Sequence, residues 1–137
     1  MVRKKVAFQV IKSYTMSQSK KILIAEDNSI LSLLLKFKLE KEGYKLLMAT
    51  NGKEAIEIIE EFSPEMILTD VMMPFVSGLE VISHTRNKLE LKTPIIVFSS
   101  AGQEEMVLKA FNLGATDFMS KPFSPNELSI RIKRLLQ

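Results

Sequence analysis

From Lys20 to Gln137, short apolar runs alternate with longer segments in which apolar residues recur every three or four positions. The short runs Ile22–Ala25, Lys45–Ala49, Met66–Thr69, Ile95–Phe98 and Asp117–Ser120 read as strands. Most are apolar at successive positions rather than alternating in and out. That texture belongs to strands covered on both faces, as in a parallel sheet packed between helices. The run Lys45–Ala49 opens on a charge and suits a sheet edge.

The intervening segments carry helix signals. Asn28 or Ser29 can cap the first helix, whose Leu31, Leu34, Leu35, Phe37 and Leu39 form a broad stripe expected to be buried, and Gly43 stops it. Asn51-Gly52 precedes the second, with Ala55, Ile56, Ile59 and Phe62 inward and Ser63-Pro64 at its end. The third runs from Gly78 to Leu89, the fourth from Gln103 to Leu113 ahead of Gly114, and the fifth from Pro125 to Leu136 behind the N-cap Ser124. Strands alternating with helices predict an α/β fold, a doubly wound five-stranded parallel sheet with helices on both faces, and right-handed crossovers restrict its strand order to a few choices.

The polar residues that close the apolar runs carry the chemistry. One run ends in Glu26-Asp27, another in Asp70-Val71-Met72-Met73-Pro74, a third in Ser99-Ser100 and the last in Lys121-Pro122. In an open parallel sheet such ends line one crevice. Three carboxylates converging there repel one another unless a cation or protons neutralise them. A hard, oxygen-liganded divalent ion suits that donor set, magnesium with one or two carboxylates and retained waters best of all. Zinc is not expected, since the chain has no cysteine and its one histidine, His84, has no partner pattern around it. Taken singly each residue has a plainer reading: Asp70 as a turn former, Glu26-Asp27 as a favourable charge at a helix N-terminus, Ser99 as an ordinary hydroxyl, Lys121 as a solvated charge. Taken together at matching strand ends, the plain readings need four coincidences.

The set Glu26-Asp27, Asp70 with Met73-Pro74 and Gly78, Ser99, Gly114-Ala115 and Lys121-Pro122-Phe123, in this order, closely resembles the receiver (phosphoacceptor) domain of two-component response regulators. The resemblance covers residues 20–137 and implies the flavodoxin-like, CheY-like strand order 2-1-3-4-5. It implies that Asp70 accepts a phosphoryl group from a sensor histidine kinase or histidine phosphotransfer protein, with Ser99 and Lys121 contacting the phosphoryl oxygens. Asp27 and Asp70 would bind Mg2+ directly, with Mn2+ as a substitute, Glu26 through water, and Met72 through its backbone carbonyl. The family also implies a cis Lys121-Pro122 bond. Its switch would be Ser99 moving toward the phosphoryl group while Phe118, here in place of the commoner tyrosine, turns inward. Asp117, Glu127 and Arg131 match a charged ladder through which OmpR-type regulators pair, on the face of the fourth helix, fifth strand and fifth helix. Val107 and Asn112 stand where that ladder has charges. The resemblance implies a phosphoacceptor and not a turnover enzyme, beyond self-phosphorylation from small donors and slow self-dephosphorylation.

Composition changes this picture little. The net charge of +3 arises because Arg3, Lys4, Lys5, Lys12, Lys20 and Lys21 precede the first acid, after which 16 acids face 13 basic residues. The basic character therefore belongs to a leader, residues 1–19, read as a disordered or foreign extension ahead of the domain at 20–137; Met16 is an alternative start. Neither direct nucleic-acid binding nor a membrane span is expected, and the absence of cysteine agrees with a cytoplasmic location. A dehalogenase-type hydrolase would need an acid two residues after its nucleophile, where Met72 stands, and no glycine pair has the spacing of a nucleotide loop. A receiver-like module that binds without phosphorylation would have a degraded site, and this one is complete. The chain could also be the N-terminal receiver of a longer DNA-binding regulator.

Overall fold

The computed structural model describes residues 19–137. Apart from Ser19, the leader assigned to residues 1–19 lies outside them. The strands are β1 (Lys21–Ala25), β2 (Lys45–Ala49), β3 (Met66–Asp70), β4 (Ile95–Ser99) and β5 (Asp117–Ser120). The helices are α1 (Ser29–Lys41), α2 (Gly52–Phe62), α3 (Gly78–Ser83, continued by a π-helical turn at His84–Lys88), α4 (Glu104–Leu113) and α5 (Pro125–Leu135). All strand pairs are parallel, and the order is β2-β1-β3-β4-β5.

Burial follows position in the sheet. β3 and β4 are buried along their whole length and β1 in all but its first residue, whereas β2 and β5, at the edges, are only partly covered. Because successive side chains of a strand point to opposite faces, the central strands feed two separate cores. Leu23, Ile67, Ile95 and Val97 pack with Ala55 and Ile59 of α2, Val81 and Ile82 of α3 and Ala110 of α4. Ile22, Ile24, Leu68, Ile96 and Phe98 pack with Leu35 and Leu39 of α1 and Leu128 and Ile132 of α5.

The helix starts form as their sequences dictate. Asn28 Oδ1 accepts from the amides of Ile30 and Leu31, and Asn51 Oδ1 from that of Glu54. Glu54 reaches back to the amide of Thr50, so the start of α2 is satisfied from both sides. Ser124 Oγ accepts from the amide of Glu127, behind Pro125.

Three expectations need correction. Only Leu35 and Leu39 of the α1 stripe are fully buried, while Leu34 is 58% and Phe37 56% exposed. Leu31, Leu35 and Leu39 lie four residues apart along the line that meets the sheet, and Ile30, Leu33, Leu34 and Phe37 form a second apolar line on the outer side. Phe62, at the last position of α2, is also exposed. The third helix does not keep α-helical spacing to Leu89. The Thr85 hydroxyl donates to the Val81 carbonyl at 2.8 Å, back-bonding of a kind that bends helices, and the Leu89 amide then closes onto His84 five residues earlier.

The two lines of α1 predict different costs. Leu35→Ala should lower unfolding stability by about 2–5 kcal/mol through a core cavity, and Leu34→Ala by no more than about 0.5 kcal/mol, both read from urea denaturation. Equal losses would mean that the outer line is covered in solution.

Candidate functional site

The register of the sheet assembles the site. Ala25 pairs with Thr69, so Glu26 and Asp70, the next residues, stand level at the ends of β1 and β3. Asp70 pairs with Phe98, and Ser99, one residue further, pairs with Ser120. Lys121 follows Ser120 and is tied by its amide to the Ser99 carbonyl at 2.7 Å. Lys121 therefore leaves β5 beyond β4, and its side chain crosses β4 to reach β3 and β1. The Lys121-Pro122 bond at the start of this turn is cis.

That reach defines the electrostatics. Lys121 Nζ lies 2.8 Å from Asp70 Oδ2 and 2.5 Å from Glu26 Oε1. Asp70 and Glu26 are both buried, while Asp27 is exposed beside them. Glu26 Oε2 accepts from the Asn28 amide at 3.0 Å, whereas Oε1, fully shielded from water, faces the Lys121 ammonium without a well-formed hydrogen bond. Burial pushes the Lys121 ammonium down, and its close contacts with the charged Asp70 and Glu26 carboxylates outweigh it, so its pKa lies above that of an ordinary lysine. One carboxylate oxygen from each of Glu26, Asp27 and Asp70 falls within 4.8 Å of the others. An all-oxygen donor set of this charge, with a buried oxygen short of a donor, fits a hard divalent cation.

The surrounding loops are built to tight tolerances. A Cβ on Gly78 would sit 2.1 Å from the Asp70 carbonyl oxygen, so only glycine lets α3 start against the end of β3. Phe75, in the loop between them, is 89% exposed with φ +68°, a left-handed conformation that bulky residues rarely adopt. Gly52 presses on the same loop: a Cβ there would meet the Val76 carbonyl oxygen at 2.1 Å. No motif in the sequence flagged Gly52, and its only sequence signal is the glycine just after a capping asparagine. Met72 sits partly exposed two residues beyond Asp70.

The expected switch and interface residues lie on the β5 side. Ser99 and Phe118 line the same cavity of about 360 Å³ between β4, β5 and α4. Asp117, Glu127 and Arg131 meet within one chain: Arg131 reaches Asp117 Oδ2 at 3.1 Å and Glu127 Oε1 at 2.8 Å, and donates to the Phe118 carbonyl at 2.8 Å. His84 lies outside the site on the far face of α3, where it pairs with Glu60 of α2 at 2.7 Å, a neighbour 24 residues away that the sequence around His84 does not announce.

The raised pKa of Lys121 predicts a pH dependence. A group whose folded pKa exceeds its unfolded value stabilises fully below the unfolded value, and that contribution is lost as pH rises through the folded pKa. The stability difference between the natural chain and Lys121→Met should hold steady across neutral pH and shrink above about pH 10.5, the ordinary lysine range. Urea denaturation at pH 7 to 11 measures it. A gap that stays constant to the top of that range contradicts the pairing.

Comparison with known proteins gives a consistent result. The family model for the response regulator receiver domain matches residues 22–133. The alkaline phosphatase synthesis transcriptional regulatory protein PhoP of Bacillus subtilis is 37% identical over 119 residues, covering 87% of this chain and 49% of that protein. The transcriptional regulatory protein SrrA of Staphylococcus aureus is 39% identical over 119 residues, covering 87% of this chain and 48% of its own length. The chain thus spans about half the length of the curated relatives it matches. Among solved structures, the Francisella response regulator 1452 receiver domain superposes with TM-score 0.79 at 32% identity, covering 86% of this chain and 97% of that one. The chemotaxis response regulator CheY4 of Vibrio cholerae does so with TM-score 0.80 at 28% identity, covering 87% and 100%. With the family model matching most of the chain and the strand order in agreement, the chain belongs to the receiver domain family of two-component response regulators.

Proposed function

We propose that this receiver takes a phosphoryl group onto Asp70 from the phosphohistidine of a sensor kinase or histidine phosphotransfer protein, and that the modification alters the face formed by α4, β5 and α5. The observation that carries this reading is the Lys121 ammonium poised between Asp70 and Glu26 beside a three-carboxylate cluster. In the transfer, an Asp70 carboxylate oxygen forms a bond to phosphorus as the P–N bond breaks. The departing imidazole nitrogen keeps the electron pair and takes a proton from water. The loose transition state spreads charge over three phosphoryl oxygens; Lys121 stabilises one, and the Ser99 hydroxyl donates to another.

Asp27 and Asp70 would hold Mg2+ or Mn2+ directly, Glu26 through water and Met72 through its carbonyl. When bound, the ion supplies further positive charge to the phosphoryl oxygens. Phosphorylated Asp70 carries more negative charge and more acceptors than the free carboxylate. Ser99 follows the new oxygens, and Phe118 turns into the space between β5 and α4. Asp117, Glu127 and Arg131 then form a face on which two copies can pair. The match to PhoP and SrrA, both transcriptional regulators of about twice this length, favours a second reading of output, in which the receiver belongs to a longer DNA-binding regulator. Among the described residues, no helix is long and apolar enough to cross a membrane.

Asp70→Asn should abolish labelling by a small phosphodonor with magnesium, and Asp27→Ala should abolish labelling and metal binding together. Full labelling of the Asn variant moves the nucleophile elsewhere. By the family resemblance, Met72 and Ala101 match the positions that flank the attacking water in dephosphorylation, and neither side chain can orient it by hydrogen bonding. The phosphorylated form should therefore last minutes or longer, and Met72→Asn should shorten its half-life by supplying an amide. An unchanged half-life would sink that account.

A further inference from the structure

On the rim of the cavity between α4 and β5, the rings of Phe111 and Phe118 meet edge to face, with centroids 5.9 Å apart and planes at 87°. Phe118 is 39% and Phe111 40% exposed, so neither ring is held by burial alone. Both line the cavity with Ser99, Ala101, Val107 and Leu108. The ring of Phe118 therefore borders empty apolar volume and touches an aromatic partner that lines the same cavity.

The partner stands on the fixed end of its helix. Arg86, in the π-helical turn after α3, donates from Nε to the Gly114 carbonyl at 2.9 Å and from its guanidinium to the Leu91 carbonyl at 2.8 Å. Gly114, with φ +112°, closes α4, and a Cβ there would lie 2.9 Å from Arg86 Cγ, so the arginine stem packs directly on the helix end. The other end of α4 is bonded only locally, to Ser100 in the loop before it, among the described residues. Gln103, at the N-cap position, gives no side-chain cap, and its amide oxygen accepts from Ser100 instead. Phe111, three residues before Gly114, thus belongs to the tethered end. A Phe118 ring that swung toward Ser99 would leave Phe111 behind on that tethered end, and the aromatic contact would be lost.

We propose that Phe111 is a positioning residue that latches Phe118 outward and so sets the resting population of the switched state. The inference rests on the phosphoacceptor reading and adds to it a residue outside the acidic crevice. A contact made in only one of two states biases their equilibrium by its own free energy, and reciprocity transmits that bias to whatever binds the other state. An edge-to-face pair is worth about a two- to tenfold shift. Phe111 should therefore weaken binding of a phosphoryl mimic at Asp70, a group it does not touch.

The test uses the whole chain carrying fluorinated phenylalanine at position 118, titrated with beryllofluoride and magnesium. In Phe111→Ala the resting fluorine signal should sit closer to its beryllofluoride-bound position, and the mimic should bind about two- to tenfold tighter. Phe111→Leu, which keeps apolar bulk without a ring, should fall between that variant and the natural chain. A purely structural role would lower the melting temperature while leaving the resting signal and the affinity in place, and that result overturns the latch. If the natural chain binds beryllofluoride at Asp70 and both variants match it, the latch fails and the phosphoacceptor reading stands. If the natural chain shows no response to beryllofluoride at all, the phosphoacceptor reading fails and the latch with it.

Discussion

Two carboxylates buried side by side are the constraint around which this molecule is arranged. Glu26 and Asp70 stand level on neighbouring strands with almost no contact to water, a placement that repulsion and desolvation both oppose. One ammonium offsets both. Lys121 can do so only because β5 lies beyond β4, with a backbone bond to Ser99 that aims its side chain back across the sheet. A buried charge left unpaired costs far more than the pair contributes, so strand order, register and the turn after β5 are bound to one another by this contact. The same arrangement fixes the Asp70 carboxylate beside a cation, the setting that the proposed attack on phosphorus requires.

The backbone around Asp70 shows what that placement demands. α3 starts so close to β3 that position 78 admits only glycine, and the connecting loop is pressed from its other side by Gly52. Between these contacts Phe75 is held in the left-handed region with its ring in solvent. Such conformations cost about 1–3 kcal/mol and persist only where surrounding structure over-determines them. Here the over-determination is visible, since both glycines abut backbone carbonyls that cannot move without shifting Asp70 or its loop.

Much of this was legible in the sequence because parallel strands covered on both faces write themselves as uninterrupted apolar runs, and the polar residue ending each run marks the crevice. β1, β3 and β4, the convergence of the acidic residues that follow β1 and end β3, and the caps at Asn28 and Ser124 were readable on local grounds. What was not legible depended on neighbours distant in sequence. α1 carries apolar residues at four-residue spacing on more than one side, so periodicity could not say which line meets the sheet; in the fold it is Leu31, Leu35 and Leu39. The π-helical turn arises from the Thr85 side chain competing for a backbone carbonyl, a choice that propensity does not encode. Gly52, Arg86 and the Glu60 partner of His84 act through contacts that only the folded chain creates.

The distribution of packing then decides where a change at Asp70 can be transmitted. Toward β1 and β3 the strands are buried on both faces, and close-packed interiors of this kind resist small displacements. Toward β5 the sheet ends in a partly exposed strand, the helix beside it starts without a side-chain cap, and a cavity of about 360 Å³ lies between the two. Ser99 borders that cavity. Motions that accompany switching are drawn from the less tightly packed regions of a fold. The volume beside Phe118 is such a region, so the charge that the proposed phosphorylation adds at the rigid centre of the sheet would find its compliance at the β5 edge, where the face of α4, β5 and α5 begins.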